Sequence, residues 1–212
     1  MSHQPPSRAC PRRTTRQRGS VLFFTLIALV AMTLATLALV RSVDTNTLIS
    51  GNLAFRQAAT TSADAGVEAA IVAMTAVQTA NIAKNVYMDA THAFNVTSAT
   101  TGYYSNADPA LSLSAGTTWT NDTSSDAVTD SSGNTYRYII QRMCRTANQV
   151  LSKPNCLFSG TAKDNSGKEI LLPSGVCDGP GCPTAGQSPQ YRVTVRVTGP
   201  KNTVSYIQAV VY

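Results

Sequence analysis

The sequence predicts an α+β protein in which one long N-terminal α-helix, half transmembrane and half amphipathic, packs on an antiparallel β-sheet head. Three observations support this fold class. An uncharged apolar stretch follows a basic N-terminus, apolar residues recur at helical spacing beyond it, and the C-terminal part alternates apolar and polar residues as a β-hairpin does. A chain of 212 residues has room for one domain and an appendage.

No charged residue occurs in Ser20–Val40, and the polar residues there are serine and threonines whose hydroxyls can bond back to the helix. At about 1.5 Å per residue, the segment covers about 30 Å, the hydrocarbon thickness of a bilayer. Arginines before it favour a cytoplasmic N-terminus and an exported body. Because no small-x-small site closes the apolar run, we expect the helix to be retained rather than removed as an ordinary secretory signal.

The positive charge of the chain is concentrated before this segment. Residues 1–19 contain no acid and five arginines: Arg8, Arg12, Arg13, Arg16 and Arg18. The rest of the chain is close to neutral and offers no basic face for a run of phosphates, so no nucleic-acid partner is expected. One small local patch remains, and we interpret it as the solvated face of a strand: Arg137, Arg142 and Arg145.

The order of a basic leader, a glycine and an uninterrupted apolar helix resembles the class III signal peptide of type IV pilins and type II secretion pseudopilins. The resemblance implies that a prepilin peptidase cleaves between Gly19 and Ser20 on the cytoplasmic side and methylates the new amino terminus. Ser20 would then be the first mature residue. A plain signal anchor, which would make the chain a membrane-anchored adhesin, is the alternative interpretation.

One position departs from most members of that family. Major pilins carry a glutamate at the fifth mature position, where this chain has Phe24. In the family this carboxylate is thought to pair with the terminal amine of a neighbouring subunit, and a buried charge without its partner is costly. We therefore do not expect a filament of this protein alone. The side chains expected to pack against other pilin helices are Phe23, Phe24, Leu26 and Phe55.

The segment ISGNLAFRQAATTSADAGVEAA, Ile49–Ala70, is similar to the region that follows the membrane helix in PilX-like minor pilins. The residues that carry this likeness are Gly51, Asn52, Phe55, Arg56, Gln57, Ala58, Ala59 and Glu68. Thr60 replaces the acid that usually follows the double alanine, so the match is imperfect. With the leader, the resemblance covers residues 16 to 75.

The resemblance implies a minor pilin that is incorporated in, or primes, a type IV pilus and supports pilus assembly, twitching motility and adhesion. Its implied partners are other minor pilins, the major pilin, prepilin peptidase and the inner-membrane assembly platform. It implies an inner-membrane protein with a periplasmic head before assembly, and a place in the surface pilus afterwards. A minor pseudopilin at the tip of a type II secretion pseudopilus is the alternative.

We divide the chain into a basic leader (1–19), a long helical region (20–90) with a transmembrane half (20–40), and a β-rich head (91–212). Two glycines interrupt the helical pattern, and Gly51 is expected to mark a bend near the membrane surface. One face of the helix can pack on the head, formed by Leu48, Ile49, Phe55, Ala59, Val67, Ala70, Ile71, Met74 and Val77.

Two segments of the head predict strands. TYRYIIQRMC, from Thr135, suggests a half-exposed strand, and QYRVTVRVTGPKNTVSYIQAVVY, from Gln190, predicts a hairpin that turns at Gly199–Asn202. Along its first strand, alternate residues share one face: Tyr191, Val193, Val195 and Val197.

The head also contains four cysteines, Cys144, Cys156, Cys177 and Cys182, which in an exported chain suggest disulfides. Four cysteines permit three pairings, of which near-neighbour closure favours Cys144 with Cys156 and Cys177 with Cys182. A zinc site of four thiolates is the alternative, but the spacing does not form paired short knuckles. Asp122, Asp126 and Asp130 lack the spacing of a calcium loop, and His92 has no nucleophile motif nearby. Catalytic residues, metal sites and cofactors are therefore not expected.

Overall fold

A computed structural model describes residues 19–160, 163–168, 170, 172, 175–177 and 181–212. Positions 1–18 of the predicted leader, with its five arginines, lie outside the described residues. The chain divides into two compact units, Met1–Asn52 and Leu53–Tyr212, which we name the N-terminal unit and the C-terminal unit. The fold class is α+β, with a long helix packed on a sheet, as the sequence predicts.

Helix α1, Ser20–Ala80, has 61 residues. Its backbone stays helical through both internal glycines, because one glycine costs only about 1 kcal/mol relative to alanine. The helix ends at Ala80, and the side-chain amide of Asn81 then donates to the carbonyl of Val77, with 2.9 Å between Nδ2 and O. The helical region is therefore shorter than the predicted 20–90, and residues 81–90 form turns.

The C-terminal part of α1 buries one narrow face. Gly66 follows Ser62 and Ala63 by four and three positions, and each later buried residue follows by four, so they all fall on one side of the helix: Ser62, Ala63, Gly66, Ala70 and Met74. Partly buried residues flank this face and confirm the predicted contact from Ala59 to Val77. The prediction that Phe55 belongs to this face is wrong, because its side chain is 56% exposed. Leu48 and Ile49 lie in the N-terminal unit, where their side chains are exposed.

In the part of the chain that the structure describes, seven strands follow the helix: β1 (Tyr103–Tyr104), β2 (Val128–Thr129), β3 (Thr135–Arg142), β4 (Phe158–Ser159), β5 (Ser188–Pro189), β6 (Tyr191–Thr198) and β7 (Val204–Val211). The main sheet has the order β1-β3-β6-β7, and β2 also pairs with β3. Strands β3, β6 and β7 are antiparallel neighbours, whereas β1 pairs with β3 in parallel. The sheet is therefore mixed around an antiparallel centre, and β4 and β5 form a separate ribbon.

The predicted hairpin is confirmed as β6 and β7, joined through a short 3₁₀ helix at Pro200–Asn202. The predicted inward residues of β6 are all buried and pack with the buried face of α1 and with residues of β3. On the opposite face of the sheet, Ile139 packs with Tyr104 and Trp119. Trp119 is buried and is the single tryptophan of the chain, so its fluorescence reports the folding of the C-terminal unit.

Gly66 sets how closely α1 approaches the sheet. A Cβ at this position would lie 2.6 Å from Val195 Cγ1 and 3.1 Å from Tyr136 Cδ2. We expect Gly66→Ala to destabilise the C-terminal unit by about 1 to 2 kcal/mol, because overpacking outweighs the better helix propensity of alanine. Urea unfolding of the full chain in detergent micelles, followed by Trp119 fluorescence, measures the loss.

The matched control is Gly51→Ala in the same helix, where a Cβ meets no heavy atom within 4 Å. This variant should unfold at the wild-type urea concentration or slightly above it, because alanine favours the helix and is not overpacked there. Equal stability of the two variants would contradict the close packing of α1 at Gly66.

Candidate functional site

The predicted processing point lies where α1 begins. Gly19 has a φ of 68°, in the left-handed region, and Ser20 is the first helical residue. Both residues are exposed. A Cβ at Gly19 would meet no other heavy atom within 4 Å, so the peptide bond between Gly19 and Ser20 lies in open surroundings.

The segment Ser20–Val40 is exposed along its whole length. Its threonine hydroxyls donate to carbonyls of the preceding turn, as the sequence predicts: Thr25 to Leu22 at 2.9 Å, Thr33 to Val30 at 2.8 Å, and Thr36 to Thr33 at 2.9 Å. These side chains therefore need no hydrogen bond from water. By length and composition, α1 is able to cross a membrane.

The side chains predicted to pack against other helices are all exposed. Phe23, Phe24 and Leu26 are each more than 60% exposed, and Phe55 is 56% exposed. The rings of Phe23 and Phe24 meet edge to face, with their centroids 6.4 Å apart. The fifth position after Gly19 therefore presents the uncharged aromatic ring of Phe24, and not the charged carboxylate that a glutamate would place there.

Arg142, at the end of β3, is fully buried. Its guanidinium donates three hydrogen bonds: Nε to the Ser105 carbonyl at 2.9 Å, Nη1 to Asn95 Oδ1 at 2.6 Å, and Nη2 to the Gln149 carbonyl at 2.7 Å. Burial lowers the pKa of Arg142. The interpretation of Arg142 as part of a solvated basic face is therefore wrong.

The other two arginines of that patch differ from Arg142. Arg137 lies an odd number of positions away on β3, so it faces the opposite side of the sheet. Its Nη atoms donate to the Ser125 carbonyl at 2.8 Å and to Asn121 Oδ1 at 2.7 Å. Arg145 is exposed. The three side chains therefore do not share one face.

A connector of residues 81–101 joins α1 to the sheet through Asn95. The Asn95 side chain is fully buried, and its Nδ2 donates to the carbonyls of Val86 and Asp89, each at 2.8 Å. Its Oδ1 accepts from Arg142. His92 caps the short 3₁₀ helix of this connector, because its Nδ1 accepts the Phe94 N–H at 3.1 Å, and burial lowers the pKa of the imidazole.

The four head cysteines form two disulfides, Cys144 with Cys156 and Cys177 with Cys182. These are the two pairs that near-neighbour closure favours, and they leave none of these thiols for a zinc site. Among the described residues, no group of three or more His, Cys, Asp or Glu side chains could hold a metal ion.

Asp130 ties the turn between β2 and β3 to α1. Its carboxylate accepts hydrogen bonds from the Ser62 hydroxyl and from the N–H groups of Ser132 and Asn134, at 2.8 Å and 3.0 Å for the last two. Asn134 Nδ2 in turn donates to Ser62 Oγ at 2.9 Å. Asp130 therefore links this turn to a buried serine of α1.

These hydrogen bonds, above all that from Ser62, lower the pKa of Asp130. A lowered folded-state pKa stabilises the fold above the unfolded-state pKa of about 4, and this contribution is lost as the pH falls through the folded value. We expect Asp130→Asn to be less stable than wild type at pH 7, with a difference that shrinks under acid conditions. Urea midpoints measured between pH 7 and pH 3 test this.

Asp122→Asn is the matched control, since Asp122 is exposed and lies in the same loop region. Its stability should follow the wild-type curve across the pH range. A constant offset between Asp130→Asn and wild type at every pH would contradict a role for the ionised carboxylate.

Comparison with known proteins returned no matching family model, no matching curated protein and no matching solved structure.

Proposed function

We propose that this chain is a PilX-like minor pilin, incorporated in or priming a type IV pilus, with roles in pilus assembly, twitching motility and adhesion. One observation carries the proposal. The helix begins at Ser20, directly after an exposed glycine, and opens with an uncharged and fully exposed apolar segment. A prepilin peptidase requires such a junction of leader and helix, and the arginines of residues 1–18 precede it in the sequence.

The C-terminal unit supports an exported location. Two disulfides close short loops in it, and disulfides persist in oxidising compartments such as the bacterial periplasm. Arginines before the apolar segment favour the same orientation, with the N-terminus in the cytoplasm. The chain is then a single-pass inner-membrane protein before assembly and a pilus component at the cell surface afterwards.

The proposed mechanism is assembly rather than chemistry. In the membrane, lipid covers the exposed side chains of Ser20–Val40; in the pilus, the equivalent helices of other minor pilins and of the major pilin cover them. Satisfied threonine hydroxyls let the helix pass between these surroundings without leaving polar groups unpaired. Phe24 gives the helix no carboxylate to pair with a neighbouring amino terminus, which favours a place among other subunits over a filament of its own.

Processing by prepilin peptidase tests the proposal. The full-length chain is coexpressed with the peptidase and an assembly platform, and its N-terminal peptide is analysed by mass spectrometry. We expect an N-methylated Ser20 as the first residue. Gly19→Leu should retain the leader, whereas Gly133→Ala, a control at another left-handed glycine, should be processed normally. An intact leader in the wild-type chain would overturn the proposal.

The fibre in which the processed chain is found distinguishes a minor pilin from a minor pseudopilin. Surface fibres are sheared from cells that assemble either a type IV pilus or a type II pseudopilus, and the processed chain is detected by immunoblot. We expect it in sheared pili and expect its loss to reduce pilus number. Recovery with the pseudopilus alone would support the minor pseudopilin instead.

A further inference from the structure

The C-terminal unit contains a cavity of about 600 Å³ between α1, the connector and the sheet. Binding pockets for organic ligands have volumes of about 300 to 1,000 Å³. The wall formed by α1 carries alanines, Ala69, Ala73 and Ala76, whose side chains end at Cβ and leave the space unfilled. Phe94, Tyr138 and Ile140 line the opposite side, so most of the cavity surface is apolar.

Asp126 is the one charged residue among the described residues that line the cavity. Its neighbour Ser125 is fixed to β3 by two hydrogen bonds, from the Ser125 N–H to the Tyr138 carbonyl at 3.0 Å and from the Tyr138 N–H to Ser125 Oγ at 2.8 Å. These bonds hold Asp126 at the cavity wall. Within the described part of the chain, the Asp126 carboxylate and the Tyr138 hydroxyl have no hydrogen-bond partner.

Asp126 and Tyr138 line the same cavity. Burial raises the pKa of Tyr138, and the charges of Tyr136 and Asp126 raise it further. An aromatic ring beside a carboxylate attracts a cation, through the charge of the carboxylate and the negative face of the ring. The cavity therefore combines an apolar body with one position for a positive charge.

The apolar surface continues beyond the cavity. Ala76 also lines a shallow depression on α1, together with Val72, Thr75, Thr79 and Ala80. Val72 is 61% exposed there. A free amine would fill only the cavity, whereas a polypeptide chain would cover the depression as well, so the continuity of the two surfaces favours a polypeptide.

We propose that this cavity binds a lysine or arginine side chain of a partner polypeptide, with the apolar residues beside it. The cationic group pairs with Asp126 and contacts the ring of Tyr138, while the adjacent apolar side chains cover the alanine wall and Val72. This site depends only on residues of the C-terminal unit, so it stands independently of the proposed pilin function.

Binding of short peptides to the full-length chain in detergent micelles tests the site by isothermal titration calorimetry. The probe is acetyl-Leu-Lys-Leu-Leu-amide, the charge control replaces its lysine with glutamate, and benzylamine represents a free amine. We expect the lysine peptide to bind and the glutamate peptide not to bind. No binding of the lysine peptide at about 10 mM, a concentration that detects even millimolar affinity, would overturn the proposal.

Variants locate the site. Asp126→Asn should weaken lysine-peptide binding about fivefold, the scale of one exposed ion pair, and Asp122→Asn should not change it. Ala73→Leu should abolish binding by filling the cavity, with Trp119 fluorescence showing that the variant is folded. Val72→Gln should weaken binding of the peptide but leave binding of benzylamine unchanged.

Two results would count against the proposal. Unchanged binding of the lysine peptide by Asp126→Asn would overturn it, and benzylamine binding as tightly as the peptide would overturn the polypeptide as the occupant.

Discussion

Arg142→Met should destabilise the C-terminal unit by about 3 to 5 kcal/mol, because the change keeps much of the side-chain volume but leaves buried acceptors without their cationic donor. Three acceptors lose a partner at once: the carbonyls of Ser105 and Gln149 and the amide oxygen of Asn95. Urea unfolding of the full chain in detergent micelles, monitored by Trp119 fluorescence, measures the effect as a lower midpoint.

The matched control is Arg145→Met, three positions along the chain, where the side chain is exposed. A surface substitution of this kind should change the unfolding free energy by no more than about 0.5 kcal/mol. If the two variants unfold at the same urea concentration, the guanidinium of Arg142 does not hold the connector to the sheet.

Gly102→Ala should destabilise the same unit by about 3 kcal/mol, the sum of a left-handed backbone penalty and an overpacked contact. Gly102 has a φ of 74°, and a Cβ there would lie 2.7 Å from both the Ser125 nitrogen and the Tyr138 carbonyl oxygen. Backbone atoms on both sides cannot move away as a flexible side chain could. The carbonyl of Gly102 also accepts the Ile140 N–H at 2.7 Å, so displacement would weaken the pairing of β1 with β3.

Gly133→Ala separates the two contributions. Gly133 has a φ of 77°, but a Cβ there would meet no other heavy atom within 4 Å, so this variant carries the backbone penalty alone, about 1 kcal/mol. The same fluorescence assay should rank Gly102→Ala well below Gly133→Ala in stability. Equal losses would mean that Gly102 is required only for its backbone conformation.

The parts of the fold that depend on local periodicity could be predicted from the sequence. Residues of β6 alternate between two faces, and the hairpin follows from this alternation and one turn. The C-terminal part of α1 likewise repeats its buried positions about once per turn. In both cases neighbouring residues determine which face is buried, so no knowledge of distant contacts is required.

Contacts between distant segments could not be predicted in the same way. Alternation along β3 places Arg142 on the same face as Tyr136 and Ile140, but it does not show what satisfies the charge there, because the acceptors come from loops with no periodic pattern. In the sequence, Gly66 is an ordinary glycine within a helix, and only the structure shows that Val195 packs against it. The parallel partner of β3 is a strand of two residues, too short to leave a pattern.

The apolar segment and the cavity differ for a similar reason. The ability of Ser20–Val40 to enter lipid could be predicted because it depends on the composition of one continuous stretch. The cavity beside Asp126 could not, because it combines residues from α1, the connector and three strands. The only sign of it in the sequence is the series of alanines on α1, and these are equally expected from the high helix propensity of alanine.

The position of Arg142 also affects how the C-terminal unit loses its structure. Its cation is dehydrated only when the segments around Asn95, Ser105 and Gln149 are all in place. Release of any one segment would remove an acceptor and leave the buried guanidinium partly unpaired. Partly opened states are therefore higher in free energy. The connector and the sheet should therefore unfold together in one cooperative transition, and no loop around Arg142 should open before it.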